Sequence, residues 1–280
     1  MSVKKGTRLN LRIDRFADQG KSVGRVDGLV VLVEEAVPGD RVRVRVDTRK
    51  ENYAEAHVEE ILEASALRTT PHCVYADTCG GCTWQHVDYE AQLEMKEESV
   101  RSALVHNGGF DEEAIPVRPI VGAEDPYYYR NNMEFSFSAQ RWLTRWEIDS
   151  GRTFDTDFAL GLHAPGRYDK VIDLNECHLQ SPLTTRLVND VRRFAKERGW
   201  EPWNVHEHMG YLRHLTVRTG TRTGDVLVDL CTFTREPDRI EALADHLREA
   251  FPAVTTFVNT INTRQAKVAV GDETHVAFGP

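Results

Sequence analysis

No stretch of this 280-residue chain approaches the roughly 18 consecutive apolar residues that a membrane-spanning helix requires. Its start, Met1-Ser2-Val3-Lys4-Lys5-Gly6, lacks the apolar segment of a secretory signal. Both absences lead us to expect a cytoplasmic protein without a membrane partner. Internal repeats and low-complexity tracts are also missing, which excludes solenoids and long disordered linkers. Cysteine is scarce. There are five, an odd number, and three of them crowd into ten residues, a pattern that favours metal binding over disulfides in a reducing compartment.

What is present suits packed cores: 40% hydrophobic residues in a length with room for two or three modest domains. The net charge of −9 speaks against a nucleic-acid partner until its distribution is considered. Residues 1–50 hold 12 Lys/Arg against 7 Asp/Glu, whereas the rest hold 23 against 37. A basic module joined to an acidic body fits a nucleic-acid-binding end, although two ordinary solvated surfaces would look the same.

Residues 1–64 read as an all-β domain. Leu9, Leu11 and Ile13 alternate with polar residues, Leu29 to Val33 form a short apolar strand, and Pro38-Gly39-Asp40 makes a turn. Arg41-Val42-Arg43-Val44-Arg45-Val46 then places valines on one face and arginines on the other. With Ser22–Val26 and Tyr53–Leu62 the count reaches about five strands, as in an OB-like barrel, whose open face commonly binds oligonucleotides. Arg41, Arg43 and Arg45 are therefore candidate RNA contacts; the plain alternative is that they keep an edge strand soluble.

Residues 65–115 form a second segment, in which a cysteine-rich loop precedes a helix capped by Asp88, with Tyr89, Leu93, Val100 and Leu104 on one face. Residues 116–280 alternate strands with helices, among them one opening at Ser181-Pro182 and one near Pro237, and predict an α+β domain.

The sharpest local signal is Cys73-x5-Cys79-Gly80-Gly81-Cys82. Three thiolates this close can grip one cation or one cluster, with the glycines letting the backbone bend around it. Cys177, in the turn-prone Asn175-Glu176-Cys177-His178, is the better candidate for a fourth ligand. Cys231 sits in a buried-strand pattern and reads as core. One loop of three cysteines with a remote fourth is a layout common for iron–sulfur clusters, while His72, His86 and His178 keep zinc open.

At this point the sequence resembles a known family. The stretch from Cys73 to His86 is similar to the iron–sulfur loop of the bacterial RNA uracil-5-methyltransferases. Gly20-Lys21-Ser22-Val23-Gly24-Arg25 and Val37-Pro38-Gly39-Asp40 resemble their TRAM domain. Tyr129-Arg130-Asn131-Asn132-Met133-Glu134-Phe135 resembles the opening of their central domain, except that Asn132 stands where the family carries Lys or Arg. Gly161-Leu162-His163 through Cys177, and Tyr211-Leu212-Arg213-His214-Leu215 with Thr223-Gly224-Asp225, match further central segments.

The resemblance implies a TRAM barrel, a cluster loop and an α+β central domain. It implies a [4Fe–4S] cluster on Cys73, Cys79, Cys82 and Cys177, and RNA as partner, 23S ribosomal RNA foremost and transfer RNA as the alternative. Arg130, Asn131 and Arg213 become candidate RNA contacts, and no obligate protein partner is implied. It also implies S-adenosylmethionine as methyl donor, with a cysteine thiolate adding to C6 of uracil so that C5 can take the methyl group. The cofactor turn of such enzymes is Gly-rich, and Asp229-Leu230-Cys231-Thr232-Phe233-Thr234, the nearest segment here, has no glycine. The expectation is therefore a portion without its catalytic domain, holding no catalytic residue and inert in methyl transfer. The rival expectation is a non-catalytic RNA-binding protein with a structural iron–sulfur or zinc site.

Overall fold

The computed structural model describes residues 3–17, 20–265 and 269–280. They fall into two compact units, one within 1–72 and 82–124, the other within 73–81 and 125–280. The division differs from the three consecutive segments expected. Most of the cysteine loop is part of the second unit rather than a domain of its own.

In the first unit, β1 (Arg8–Phe16), β2 (Lys21–Val26), β3 (Leu29–Glu34), β4 (Arg41–Arg49) and β5 (Tyr53–Glu63) close into a barrel of order β1-β2-β3-β5-β4. The alternation in β1 and β4 is what the barrel uses: Leu9, Leu11, Ile13, Val42, Val44 and Val46 are all buried. Gly24 of β2 lies so close to β1 that a Cβ there would meet Leu11 Cδ1 at 2.2 Å and the Arg12 carbonyl at 2.8 Å. Only glycine lets the two strands approach in this way. Closure corrects one expectation. β4 is hydrogen-bonded to β1 and to β5, so its arginines are not on an edge strand.

Helix α1 (Tyr89–Ser102) begins at Asp88, whose carboxylate accepts from Glu90 N at 3.0 Å, and runs on into a π-helical turn, Ala103–Asn107. Its expected apolar face is only partly used: Ala91 is buried, whereas Val100 is 54% exposed.

The second unit is built on an eight-stranded sheet of order β13-β12-β11-β10-β6-β8-β9-β7. Its strands are β6 (Asn132–Ser138), β7 (Arg141–Trp142), β8 (Ala159–His163), β9 (Val171–Asp173), β10 (Leu212–Thr219), β11 (Val226–Thr232), β12 (Thr256–Ile261) and β13 (Glu273–Phe278). Three helices accompany them, α2 (Arg145–Asp149), α3 (Pro182–Glu197) and α4 (Pro237–Ala250). α4 makes the crossover between β11 and β12, which pair in parallel. Ser181 caps α3, whose Leu187, Val191 and Phe194 are buried at helical spacing, as are Ile240, Leu243 and Leu247 of α4. Register places a polar series across three strands: Thr216 faces Glu134 and Asp229, and His214 faces Ser136 and Cys231.

Among the described residues, no helix is long and apolar enough to cross a membrane.

Candidate functional site

The cysteine loop of the second unit is held by named contacts. Gly80 N donates to the His163 carbonyl at 2.9 Å, and a Cβ on Gly80 would meet that same oxygen at 2.9 Å. Cys73 and Cys79 pack against a cluster of Tyr75, Ala164, Ile172 and Leu174. Each of the two sulfurs accepts a main-chain N–H, from Tyr75 and from Gly81, both at 3.4 Å. Amide donors aimed at sulfur stabilise a thiolate, the form that binds metal.

Cys177 is brought to this loop. The hydroxyl of Tyr75, two residues past Cys73, accepts from Asn175 N at 3.2 Å, two residues before Cys177. A Cβ on Gly81 would come within 3.9 Å of Leu179 Cδ1. Cys82, next in the chain, accepts from Gln85 Nε2 at 3.2 Å. None of the five cysteines is in a disulfide. Among the described residues, no set of three or more His, Cys, Asp or Glu is disposed as ligands of a single metal ion.

The same Cys177 segment carries the next candidates. Tyr128 N donates to the His178 carbonyl at 2.8 Å and Arg130 N to the Leu179 carbonyl at 2.9 Å. Tyr128 takes a left-handed backbone (φ 54°), with its hydroxyl 3.1 Å from His178 Nδ1. Pinned on both sides of this bend, the chain presents Tyr129, Arg130 and Asn131 to solvent. Asn132, the departure from the resembling family, accepts from Arg218 Nε at 3.1 Å through its amide oxygen. The two residues are register partners on β6 and β10, so a cation stands at this place after all, carried by the neighbouring strand. Reading the chain in one dimension missed Arg218, because only strand pairing puts it beside Asn132.

The barrel arginines have partners. Arg41 pairs with Glu63 at 2.7 Å and Arg43 with Glu60. Glu59, bonded to Arg8 and influenced by Arg45, is held below the ordinary carboxylate range. β4 and β5 therefore form a ladder of mixed charge in place of the bare cationic face expected.

Arg213 is the clear departure. It was expected at an RNA-facing surface, yet it is 1% exposed. Its Nη1 donates to the carbonyls of Asn262 (2.9 Å) and Arg264, and its guanidinium lies 4.3 Å from the centre of the Trp203 ring. β10 is buried from Leu212 to Val217, and Arg213 lies at a register shift between Leu212 and His214, where its side chain ties down the chain after β12. Cys231 is 1% exposed on β11, and burial, with a contribution from Asp229, pushes its thiol up to about 12. Burial here disfavours the thiolate, the form in which a cysteine is nucleophilic.

The family model described as TRAM domain matches residues 2–58. An uncharacterized RNA methyltransferase of Chlorobaculum tepidum is 40% identical over 280 residues, covering 99% of this chain and 58% of that protein. One of Porphyromonas gingivalis is 35% identical, covering 94% and 57%, and one of Synechocystis 32% identical, covering 99% and 56%. Among solved structures, the Pyrococcus abyssi tRNA (uracil-54, C5)-methyltransferase in complex with S-adenosyl-L-homocysteine shares the fold, with a TM-score of 0.64 at 20% identity. That match covers 96% of this chain and 55% of the other. The chain thus spans a little over half the length of the curated relatives it matches.

These matches correct the expectation of an inert portion standing apart from catalysis, and with it the rival of a non-catalytic binding protein. Similarity to proteins named RNA methyltransferase runs over 99% of the chain, and the fold shared with a methyltransferase over 96%. The chain carries a TRAM-domain match on a closed barrel and is similar along nearly its whole length to RNA methyltransferases.

Proposed function

We propose that this chain serves an S-adenosylmethionine-dependent RNA uracil-5-methyltransferase of the cytoplasm, acting on 23S ribosomal RNA. The observation that carries the reading is the run of similarity, 99% of the chain, to proteins named RNA methyltransferase. The uracil-5 chemistry and the ribosomal substrate rest on the resemblance of five segments, from the barrel to Asp225. The RNA contacts we assign are Arg130 and Asn131 on their pinned, exposed bend, with Arg41, Arg43 and Arg45 of the barrel adding charge. Arginine suits phosphate or an unpaired base, and asparagine a base edge.

Cys73, Cys79, Cys82 and Cys177 would hold a [4Fe–4S] cluster, as the resemblance implies, and main-chain amides are aimed at the sulfurs of the first two. Such a cluster would tie the loop to Cys177 through iron–thiolate bonds. Here it would brace the Cys177–Leu179 segment on which Tyr128 and Arg130 hang.

Deleting the gene for this chain and mapping 5-methyluridine in ribosomal and transfer RNA by mass spectrometry tests the reading. Loss of one 23S site is the expected result. Loss confined to transfer RNA would move the substrate, and an unchanged 5-methyluridine map would remove the function.

A further inference from the structure

The structure points to a nucleotide-sized site that the sequence patterns did not mark. We propose that the hollow between the start of β6 and the β10–β11 hairpin binds one ribonucleotide of an RNA strand, with Arg218 on its phosphate and Asp225 on its ribose hydroxyl. The proposal rests on the RNA-methyltransferase reading and adds to it a residue-level site.

The hollow is shallow and open to solvent, about 460 Å³ in all, a shape that suits one unit of an extended strand lying across the surface better than an enclosed small molecule. Asn131, Asn132, Arg218, Thr219, Thr223 and Asp225 give it a polar wall. Its frame is rigid. Thr219 N donates to the Asn131 carbonyl at 2.8 Å, and Gly220 N to the Asp225 carbonyl at 2.8 Å, which closes the hairpin.

Arg218 is exposed, and its only hydrogen bond among the described residues runs from Nε to the Asn132 amide. That bond orients the guanidinium and leaves both terminal nitrogens for a ligand, the fork that matches phosphate oxygens. Among the described residues no carboxylate forms an ion pair with it within 4 Å, unlike Arg41 and Arg43 of the barrel, although its charge is felt by the buried Asp229. Asp225 decides what kind of phosphate fits. A carboxylate in the wall repels a free anion, but beside a sugar it accepts the 2′-hydroxyl, the group that tells RNA from DNA. A cationic fork and an acceptor in one hollow therefore suit a ribonucleotide unit better than inorganic phosphate.

Fluorescence anisotropy across a salt series tests this on the 280-residue chain. The probes are a labelled RNA hairpin with a uridine-rich loop and the same hairpin in deoxyribose. Arg218→Ala should weaken RNA binding roughly tenfold and lower the slope of log affinity against log salt by about one. Arg218→Lys should keep the slope and recover part of the affinity. Asn132→Ala, a loss of positioning, should cost affinity with the slope intact. Asp225→Asn should reduce the preference for RNA over DNA, because DNA gains from the lost repulsion whereas RNA also loses its charged acceptor. Thermal melting of each variant checks that the fold is kept. If Arg218→Ala and Asp225→Asn match the wild type in affinity, slope and preference while the wild type binds RNA with steep salt dependence, the site is refuted and the RNA reading stands. If the wild type shows no salt-dependent RNA binding, the RNA reading fails, and the site with it.

Discussion

The carboxylate of Asp40, fully buried, is gripped by the guanidinium of Arg68, with Nη2 at 2.7 Å from Oδ2 and Nε at 2.9 Å from Oδ1. Val37 N and Ser65 N complete its shell at 2.7 and 2.8 Å. Burial alone would raise this carboxyl; the bonds from Arg68 and the two amides outweigh it and hold the group below its usual value of 3.8. Asp40→Ala should destabilise the barrel unit by about 3–5 kcal/mol, because it strands a mostly buried guanidinium. Because the folded value is the lower one, the contribution is full above the ordinary carboxyl range and is lost as pH falls through the folded value. Thermal melts of wild type and variant at neutral pH should show the gap, and melts in acid should show it closing.

His86 sets a second acid limit. Burial, with the nearby charge of Arg68, lowers its pKa from 6.5 to about 4. Between those values the unfolded chain takes up the proton first, so stability falls as pH drops from 6.5 towards 4. After allowance for its partial exposure, the loss should be about 2 kcal/mol at most. His86→Gln should flatten that part of the stability profile in urea titrations; an unchanged profile would count against the burial argument.

Arg213 and Arg130 should separate stability from recognition. Arg213→Ala removes a buried guanidinium and leaves the Asn262 and Arg264 carbonyls without their donor, for a loss of about 3 kcal/mol. Arg130→Ala should leave the melting temperature alone and weaken binding of an RNA hairpin by about 1–3 kcal/mol. Melting curves and anisotropy on the same samples would show whether the two effects divide this way.

The mixed ladder on the barrel makes a prediction of opposite sign. Exposed ion pairs contribute about 0–1 kcal/mol, so Arg43→Ala should change stability little. Replacing Glu59, Glu60 and Glu63 together by Gln should unmask the arginines, tightening RNA binding and steepening its salt dependence. Affinity that is unmoved by the triple change would remove β4 from the RNA-binding surface.

The cysteines should divide four to one. Anaerobically prepared protein should carry about four iron atoms, and Cys73→Ser, Cys79→Ser, Cys82→Ser or Cys177→Ser should each lower that content. Cys231→Ala should keep it, at a cost of about 1 kcal/mol for the small cavity. Iron analysis decides between these outcomes, and stoichiometric zinc without iron would overturn the cluster.

Local pattern alone was enough for the barrel strands and the long helices, though not for β7, α2, β9, β12 or β13. Alternation at Leu9, Leu11 and Ile13, and at Val42, Val44 and Val46, states which side chains face a core, because side-chain direction has a period of two along any strand. Ser181-Pro182 and Asp88 mark helix starts because capping needs only neighbours in the chain. The clustering of three cysteines was likewise visible as spacing.

Closure of the barrel, the burial of Arg213 and the meeting of Arg218 with Asn132 were decided by tertiary structure. Each depends on which strands pair and in what register, and that is set by contacts between residues far apart in the chain. Arg41, Arg43 and Arg45 illustrate the division. Their common face is written in the sequence, but the glutamates that share it arrive on β5, up to 22 residues further on. Arg213 and Arg218 sit on one strand, five residues apart, and pattern gives them the same chemistry. Pairing with β6 and the chain after β12 sends one into the core, while the other stays at the surface with its guanidinium aimed by Asn132.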